Sequence, residues 1–199
     1  MSTDTQAKKN APLHREQRES LLHQKGCVLW FTGLSGAGKT TLACEVERQL
    51  HAAGVLTGRL DGDVVRDGLN SDLGFSPEAR EENIRRVTEV ANIMTMSGVV
   101  VLVAAISPYS KDRAAARARL GDGRFFLIHV ATPIEVCEAR DPKGLYQKAR
   151  AGEIPDFTGI SAPYEAPPSP DLVVTTEKTL PETAATVLDF LKASGMLDR

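Results

Sequence analysis

The run Gly33-Leu34-Ser35-Gly36-Ala37-Gly38-Lys39-Thr40 fills every fixed position of the spacing G-x-x-x-x-G-K-[ST]. Glycines at such points let the backbone curl until its N–H groups converge on phosphate oxygens. A helix starting here would add its positive end. Lys39 has the reach to touch β- and γ-phosphates, and Thr40 carries a hydroxyl that can enter the shell of Mg²⁺. Residues 33–40, with Thr41 behind them, are therefore the expected contacts of a nucleoside triphosphate. A second charged group, Asp61-Gly62-Asp63 with Arg66, follows later in the chain. Arg80 and Asn83 stand three apart, a spacing that puts both on one helical face.

The elements that must hold these residues are legible from the hydrophobic pattern. The apolar run Cys27–Thr32 reads as a strand buried on both faces. Thr41 to His51 reads as a helix with Leu42, Val46 and Leu50 on one stripe, ended by Gly54. Val55 to Leu60 is a second strand, and the Asp61 group sits at its carboxyl end, where open α/β sheets bind ligands. Ser76-Pro77 opens a helix running to about Ser97 with Ile84, Val87, Ala91 and Met94 inward. Val99 to Ala105 is a third strand leading to Ile106-Ser107-Pro108-Tyr109, followed by a helix over about Ser110 to Leu120. Phe125 to Val130 is a fourth strand. Thr132-Pro133-Ile134-Glu135 carries the pattern of a capping box, with its helix ending near Arg140. Leu145 to Gly152 is a short basic helix.

Residues 153–170 are rich in Gly, Pro and Ser and too long for a simple connector, which predicts a lid or binding loop. Asp171 to Thr175 is a fifth strand. A last helix starts at the Thr179–Glu182 capping pattern and runs to about Ala193. Strand–helix alternation predicts an α/β fold of the P-loop NTPase type: a parallel five-stranded sheet with helices on both faces. Residues 1–12 read as a disordered tail, and 13–199 as a single P-loop kinase domain with a mobile lid around 144–170. A surface helix is expected over Leu13 to Gln24.

Composition narrows the class. The 199 residues are 42% hydrophobic and 25% charged, with net charge −2. No global positive field exists to draw the chain to nucleic acid or an anionic membrane. The longest apolar run, Val99 to Ile106, is too short for a bilayer, and residues 1–10 lack the apolar segment of a signal peptide. Cys27, Cys44 and Cys137 form no C-x-x-C pair, so the reading is a cytoplasmic protein with each cysteine a small buried hydrophobe.

Several classes share the phosphate loop. The base-reading N-K-x-D of GTPases is absent, and no apolar strand ends in the Asp that large ATPases use for Mg²⁺. Acidic residues after the second strand and a long loop near the end fit a small-molecule kinase. Specific blocks then narrow it further. They are 30–36 (Trp30 to Gly36), 60–63, Arg66, 68–76, 82–86, 106–109, 141–146, 148–154, 157–160 and 163–167. In these the chain closely resembles adenylylsulfate kinase, the adenosine 5′-phosphosulfate 3′-phosphotransferase, from about His14 to the last helix.

The resemblance implies transfer of the ATP γ-phosphate to the 3′-hydroxyl of adenosine 5′-phosphosulfate. Asp61 is then expected to orient or deprotonate the attacking hydroxyl, with Asp63 second; either could instead bind Mg²⁺ through water. Arg66 and Arg80 would pair with the phosphosulfate. The resemblance further implies that Phe75 and Phe157 stack on the acceptor's adenine, and that Asn83 and the backbone at Ile106 and Ser107 contact it. Core packing is the alternative for each phenylalanine, and fits Phe75 better than Phe157, which lies in a polar loop. Lys143 and Arg140 fall near the nucleotides, Arg140 stacking on the ATP adenine or favouring its helix end. Ser107 matches a serine once proposed to carry a phosphoenzyme; direct transfer is favoured here.

Val64, Ser110, Ala131, Gln147 and Asp156 depart from the usual residues, respectively Asn, Arg, Asp, Lys and Gly. Ser110 and Asp156 make the anion pocket less positive. The resemblance suggests a homodimer and leaves room for association with ATP sulfurylase, although Met1 and the full set of elements suggest a free-standing chain. A catalytically silent regulatory module that binds the product nucleotide is the alternative; retention of the phosphate loop and Asp61-Gly62-Asp63 speaks against it.

Overall fold

The computed structural model describes residues 12–175 and 178–197. The expected tail falls almost wholly outside them. The described residues form one sheet of five parallel strands in the order β2-β3-β1-β4-β5. The strands are β1 (Cys27–Thr32), β2 (Thr57–Asp61), β3 (Val100–Ala104), β4 (Phe125–Val130) and β5 (Leu172–Val174). The helices are α1 (Arg15–Leu22), α2 (Lys39–Ala52), α3 (Gly62–Asp67), α4 (Pro77–Met96), α5 (Ser110–Leu120), α6 (Ile134–Arg140), α7 (Leu145–Arg150) and α8 (Leu180–Ala193).

Every residue of β1 and β3 is buried, which explains their unbroken apolar runs. Successive residues serve opposite layers. Leu29 and Phe31 join Leu42, Val46 and Leu50 of α2 and Ala184, Val187 and Leu191 of α8. Val28 and Trp30 join Ile84, Val87 and Ala91 of α4 and Ala116 and Leu120 of α5. β1 lies between β3 and β4, so the connections leaving β1 and β3 diverge to opposite sides and open a crevice at the strands' carboxyl ends.

Side-chain caps set several of the helix starts. Ser76 Oγ accepts from Ala79 N–H at 3.2 Å at the start of α4. Glu182 Oε2 accepts from Thr179 N–H at 3.0 Å before α8. Two sequence expectations need correction, and one helix was not anticipated. Thr132 does not cap α6: its hydroxyl donates to the Ala37 carbonyl at 2.9 Å, and Pro133 takes the cap position. The segment after β2 is helical, because Asp61 caps α3 by accepting from Asp63 N–H at 3.0 Å. Cys44 is exposed while Cys27 and Cys137 are buried; the inward phase of Leu42 and Val46 turns position 44 out.

At the sheet's other end, α1 is fastened by Glu19. Its carboxylate accepts from Arg15 Nε (3.0 Å), Gly26 N–H (3.0 Å) and Arg124 (2.5 Å). Burial alone would raise this carboxyl, but the Arg124 hydrogen bond, the Gly26 amide and the neighbouring charges outweigh it and hold it below the usual range.

Candidate active site

The phosphate loop joins β1 to α2. Gly33 has φ +153°, and a Cβ there would stand 2.6 Å from the Val130 carbonyl oxygen, so the close approach to β4 requires glycine. Gly38 has φ +95° and faces open space, with nothing within 4 Å of a built Cβ. Two hydroxyls brace the loop from behind: Thr132 on Ala37, and Tyr146, which donates to the Ser35 carbonyl at 2.9 Å.

Lys39 is buried and donates to the carbonyls of Gly33 (3.0 Å) and Leu34 (2.8 Å). Burial lowers its pKa from 10.5 to about 8. Thr40 donates its hydroxyl to Asp61 Oδ2 at 2.6 Å. Asp61 is itself buried, with its other oxygen on Asp63 N–H. Asp63 points into solvent and forms an ion pair with Lys143.

The donor chemistry at Thr40 and Asp61 suits Mg²⁺: two hard oxygens side by side, leaving the remaining ligand positions to phosphate and water. Among the described residues no three His, Cys, Asp or Glu side chains gather to hold a metal unaided.

Arg66, Phe75, Arg80 and Asn83 stand across the same cleft, whose volume is about 910 Å³. The Arg66 guanidinium lies 4.4 Å from the Phe75 ring centroid and that of Arg80 5.9 Å. Arg80 donates to the Phe75 carbonyl (2.9 Å), the Asp156 carbonyl (2.6 Å) and Thr158 Oγ1 (3.0 Å), which ties α4 to the loop after α7. Burial lowers the pKa of both arginines, and for Arg66 the Arg80 charge adds to it. Asn83 Oδ1 accepts from Asn70 at 2.9 Å.

The expectation about the two phenylalanines is reversed. Phe157 is 9% exposed and packs edge-on against Tyr146, with centroids 5.0 Å apart, while Phe75 is 60% exposed. The polar loop around Phe157 folds back so that this ring seals the core while still lining the cleft. Thr41, Ile106, Ser107, Arg140 and Lys143 also line the cleft. Ser107 is nearly enclosed: its oxygen accepts from Trp30 Nε1 at 3.0 Å and pairs with Thr32 Oγ1 at 3.1 Å. Thr32 in turn donates to the Ile106 carbonyl at 2.7 Å.

The sequence singled out neither Trp30, Thr32, Thr132 nor Tyr146 for the site. Trp30, Thr32 and Thr132 are polar-tipped residues in or beside a strongly apolar stretch, and that was the available signal; Tyr146, in a basic helix, carried none.

The cleft thus joins a phosphate loop and two carboxylates to an arginine–aromatic–asparagine half. The adenylylsulphate kinase family model matches residues 25–175, most of the chain. The chain belongs to the adenylylsulphate kinase family. The adenylyl-sulfate kinase of Citrobacter koseri is 54% identical over 183 residues, covering 92% of this kinase and 91% of that relative. The structure of the Mycobacterium tuberculosis APS kinase in complex with AMPPNP and APS superposes with TM-score 0.83 at 50% identity, over 85% of this chain and 99% of that one. The hexameric APS kinase from Thiobacillus denitrificans gives TM-score 0.67 at 33% identity, over 90% of this kinase and 30% of that chain. All five parallel strands of the kinase follow the expected α/β plan. No helix among the described residues is long and apolar enough to cross a membrane.

Proposed function

We propose that this kinase moves the γ-phosphate of ATP to the 3′-hydroxyl of adenosine 5′-phosphosulfate, giving 3′-phosphoadenosine 5′-phosphosulfate. The observation that carries this is the single cleft with a phosphate loop at one end and Arg66, Phe75, Arg80 and Asn83 at the other. Phosphoryl transfer asks a protein chiefly to align two reactants and stabilise charge, and this layout does both.

The loop amides of residues 33–40 and Lys39 hold the donor's phosphates, with Thr41 and Arg140 on the same side. Thr40 and Asp61 would hold Mg²⁺ with water, and the ion would supply charge neutralisation for the transferring phosphate. Asp61 also orients the attacking hydroxyl, with Asp63 and its partner Lys143 guiding the acceptor into line. Arg66 and Arg80 take the phosphosulfate oxygens. The open face of Phe75 and the edge of Phe157 enclose the adenine, and Asn83 with the Ile106–Ser107 backbone reads it. Direct transfer is favoured over a phosphoserine, because the Ser107 oxygen is already held by Trp30 and Thr32. Residues 144–170 act as the lid that keeps water from the transferring group.

The kinase acts as a homodimer in this reading. Its place is the cytoplasm, and association with ATP sulfurylase belongs to the same reading.

The test is a coupled assay of ATP consumption with Mg²⁺ and adenosine 5′-phosphosulfate, run beside Asp61→Ala. Acceptor-dependent turnover that falls by about 10² or more in the variant is expected. Turnover that survives the substitution moves the central role to Asp63. No turnover by the unmutated protein, with tight product binding, sinks the kinase reading in favour of a regulatory module.

A further inference from the structure

Arg113 is 3% exposed and lies behind the cleft, in the first turn of α5. A buried arginine is ordinarily matched by a carboxylate. This one instead donates to three neutral oxygens: the Ser107 carbonyl (2.5 Å), the Glu165 carbonyl (2.5 Å) and Ser110 Oγ (3.0 Å). Those oxygens belong to the acceptor-side turn, the far end of the loop after α7, and the start of α5.

Both attached segments need holding. Ser107 has φ +41°, a left-handed conformation that a serine keeps only when its surroundings impose it. Arg113 grips its carbonyl and Trp30 its hydroxyl. At the loop's far end, Glu165 Oε2 accepts from Ser110 N–H at 2.7 Å, Glu165 N–H donates to the Pro108 carbonyl at 2.9 Å, and the Tyr164 hydroxyl meets Thr32 Oγ1 at 3.1 Å. At the near end, Arg80 performs the matching task on Asp156 and Thr158. Two buried arginines, one in the cleft and one outside it, therefore clamp the two ends of one loop.

We infer that Arg113 is a positioning residue for the acceptor: it fixes the Ser107 backbone and the far end of the loop without touching either substrate. The inference rests on the acceptor side being as described under Proposed function. It separates the two substrates, because the donor's loop is braced independently by Thr132 and Tyr146.

The experiment compares Arg113→Lys, Glu165→Ala and the double variant with the unmutated protein. It measures KM for each nucleotide, kcat, and amide hydrogen exchange over residues 105–110 and 160–167. Arg113→Lys is expected to raise the acceptor KM about tenfold while the ATP KM stays within about twofold. Glu165→Ala is expected to raise the acceptor KM about threefold, and the double variant by less than the product, since both act on one joint. Exchange should quicken in those two segments and not in the strands. An unchanged acceptor KM, or both KM values rising with exchange faster throughout the sheet, overturns the inference. If Arg113→Lys does not fold, Arg113→Gln takes its place: no change in its acceptor KM overturns the inference. Should the unmutated protein fail to phosphorylate adenosine 5′-phosphosulfate, the function falls. The exchange comparison would still decide the clamp: local quickening supports it, and no change overturns it.

Discussion

Lys39 shows how a single residue couples charge state to ligand. Its nitrogen is held by two loop carbonyls and shielded from water, which brings its pKa down from 10.5 to about 8. A bound polyphosphate favours the ammonium, so above pH 8 binding must take up a proton. Affinity for a non-hydrolysable ATP analogue should therefore be flat below pH 8 and fall by up to about tenfold per pH unit above it. Calorimetry in two buffers of different ionisation enthalpy would detect the proton directly. Equal affinity at pH 7 and pH 9.5 would refute this account. Most residues brought together in the cleft were legible from spacing and from the resemblance. The roles of Phe75 and Phe157 were not, because a loop's polarity does not tell which way an aromatic within it turns. Asp156 is a related case. It adopts φ +54° beside Phe157, a conformation Asp tolerates, so the residue type gives no sign of the backbone it occupies.

Elements were read where a period was strong and misread where a side chain had two possible partners. α4 and α5 begin and end within a residue or so of expectation, since Ser76-Pro77 and the inward stripes are unambiguous. Thr132 had a local capping partner and took the phosphate loop's carbonyl instead, a contact across 95 residues that no local pattern encodes. α3 escaped notice because six residues are too few for a period. The attachment of α1 is also a tertiary matter: Glu19 converts an amphipathic segment into a fixed one. Glu19→Gln keeps the shape and removes the charge from bonds to Arg15 and Arg124. It should cost about 2 kcal/mol, or about 4–8 °C in Tm. The carboxyl is held below its unfolded value, so its contribution is complete above the ordinary carboxylate range and disappears as pH falls through the lowered value. The wild-type advantage should thus be seen at pH 7 and vanish under strongly acidic conditions; an equal gap at both, or no gap, would contradict it.

At the scale of the whole molecule, the topology does the collecting. Strand order β2-β3-β1-β4-β5 brings the ends of β1, β2, β3 and β4 to one rim, so residues as distant as Thr40, Asp61 and Ser107 share a cleft. That the strands are parallel was legible from their alternation with helices; their order was not, because each apolar strand looks the same to its neighbours. The placement of Trp30 has an optical consequence. It is the chain's one tryptophan, fully buried in β1, with its indole N–H on the Ser107 oxygen. Its emission should be blue and structured, and any ligand that shifts the Ser107 turn should change that emission by altering the indole's hydrogen bond. Titration with adenosine 5′-phosphosulfate should move the spectrum, whereas an ATP analogue alone should leave it nearly still. A spectrum indifferent to the acceptor would mean that the turn is rigid on binding. A responsive one would give this kinase an intrinsic, label-free signal for following acceptor arrival in stopped flow.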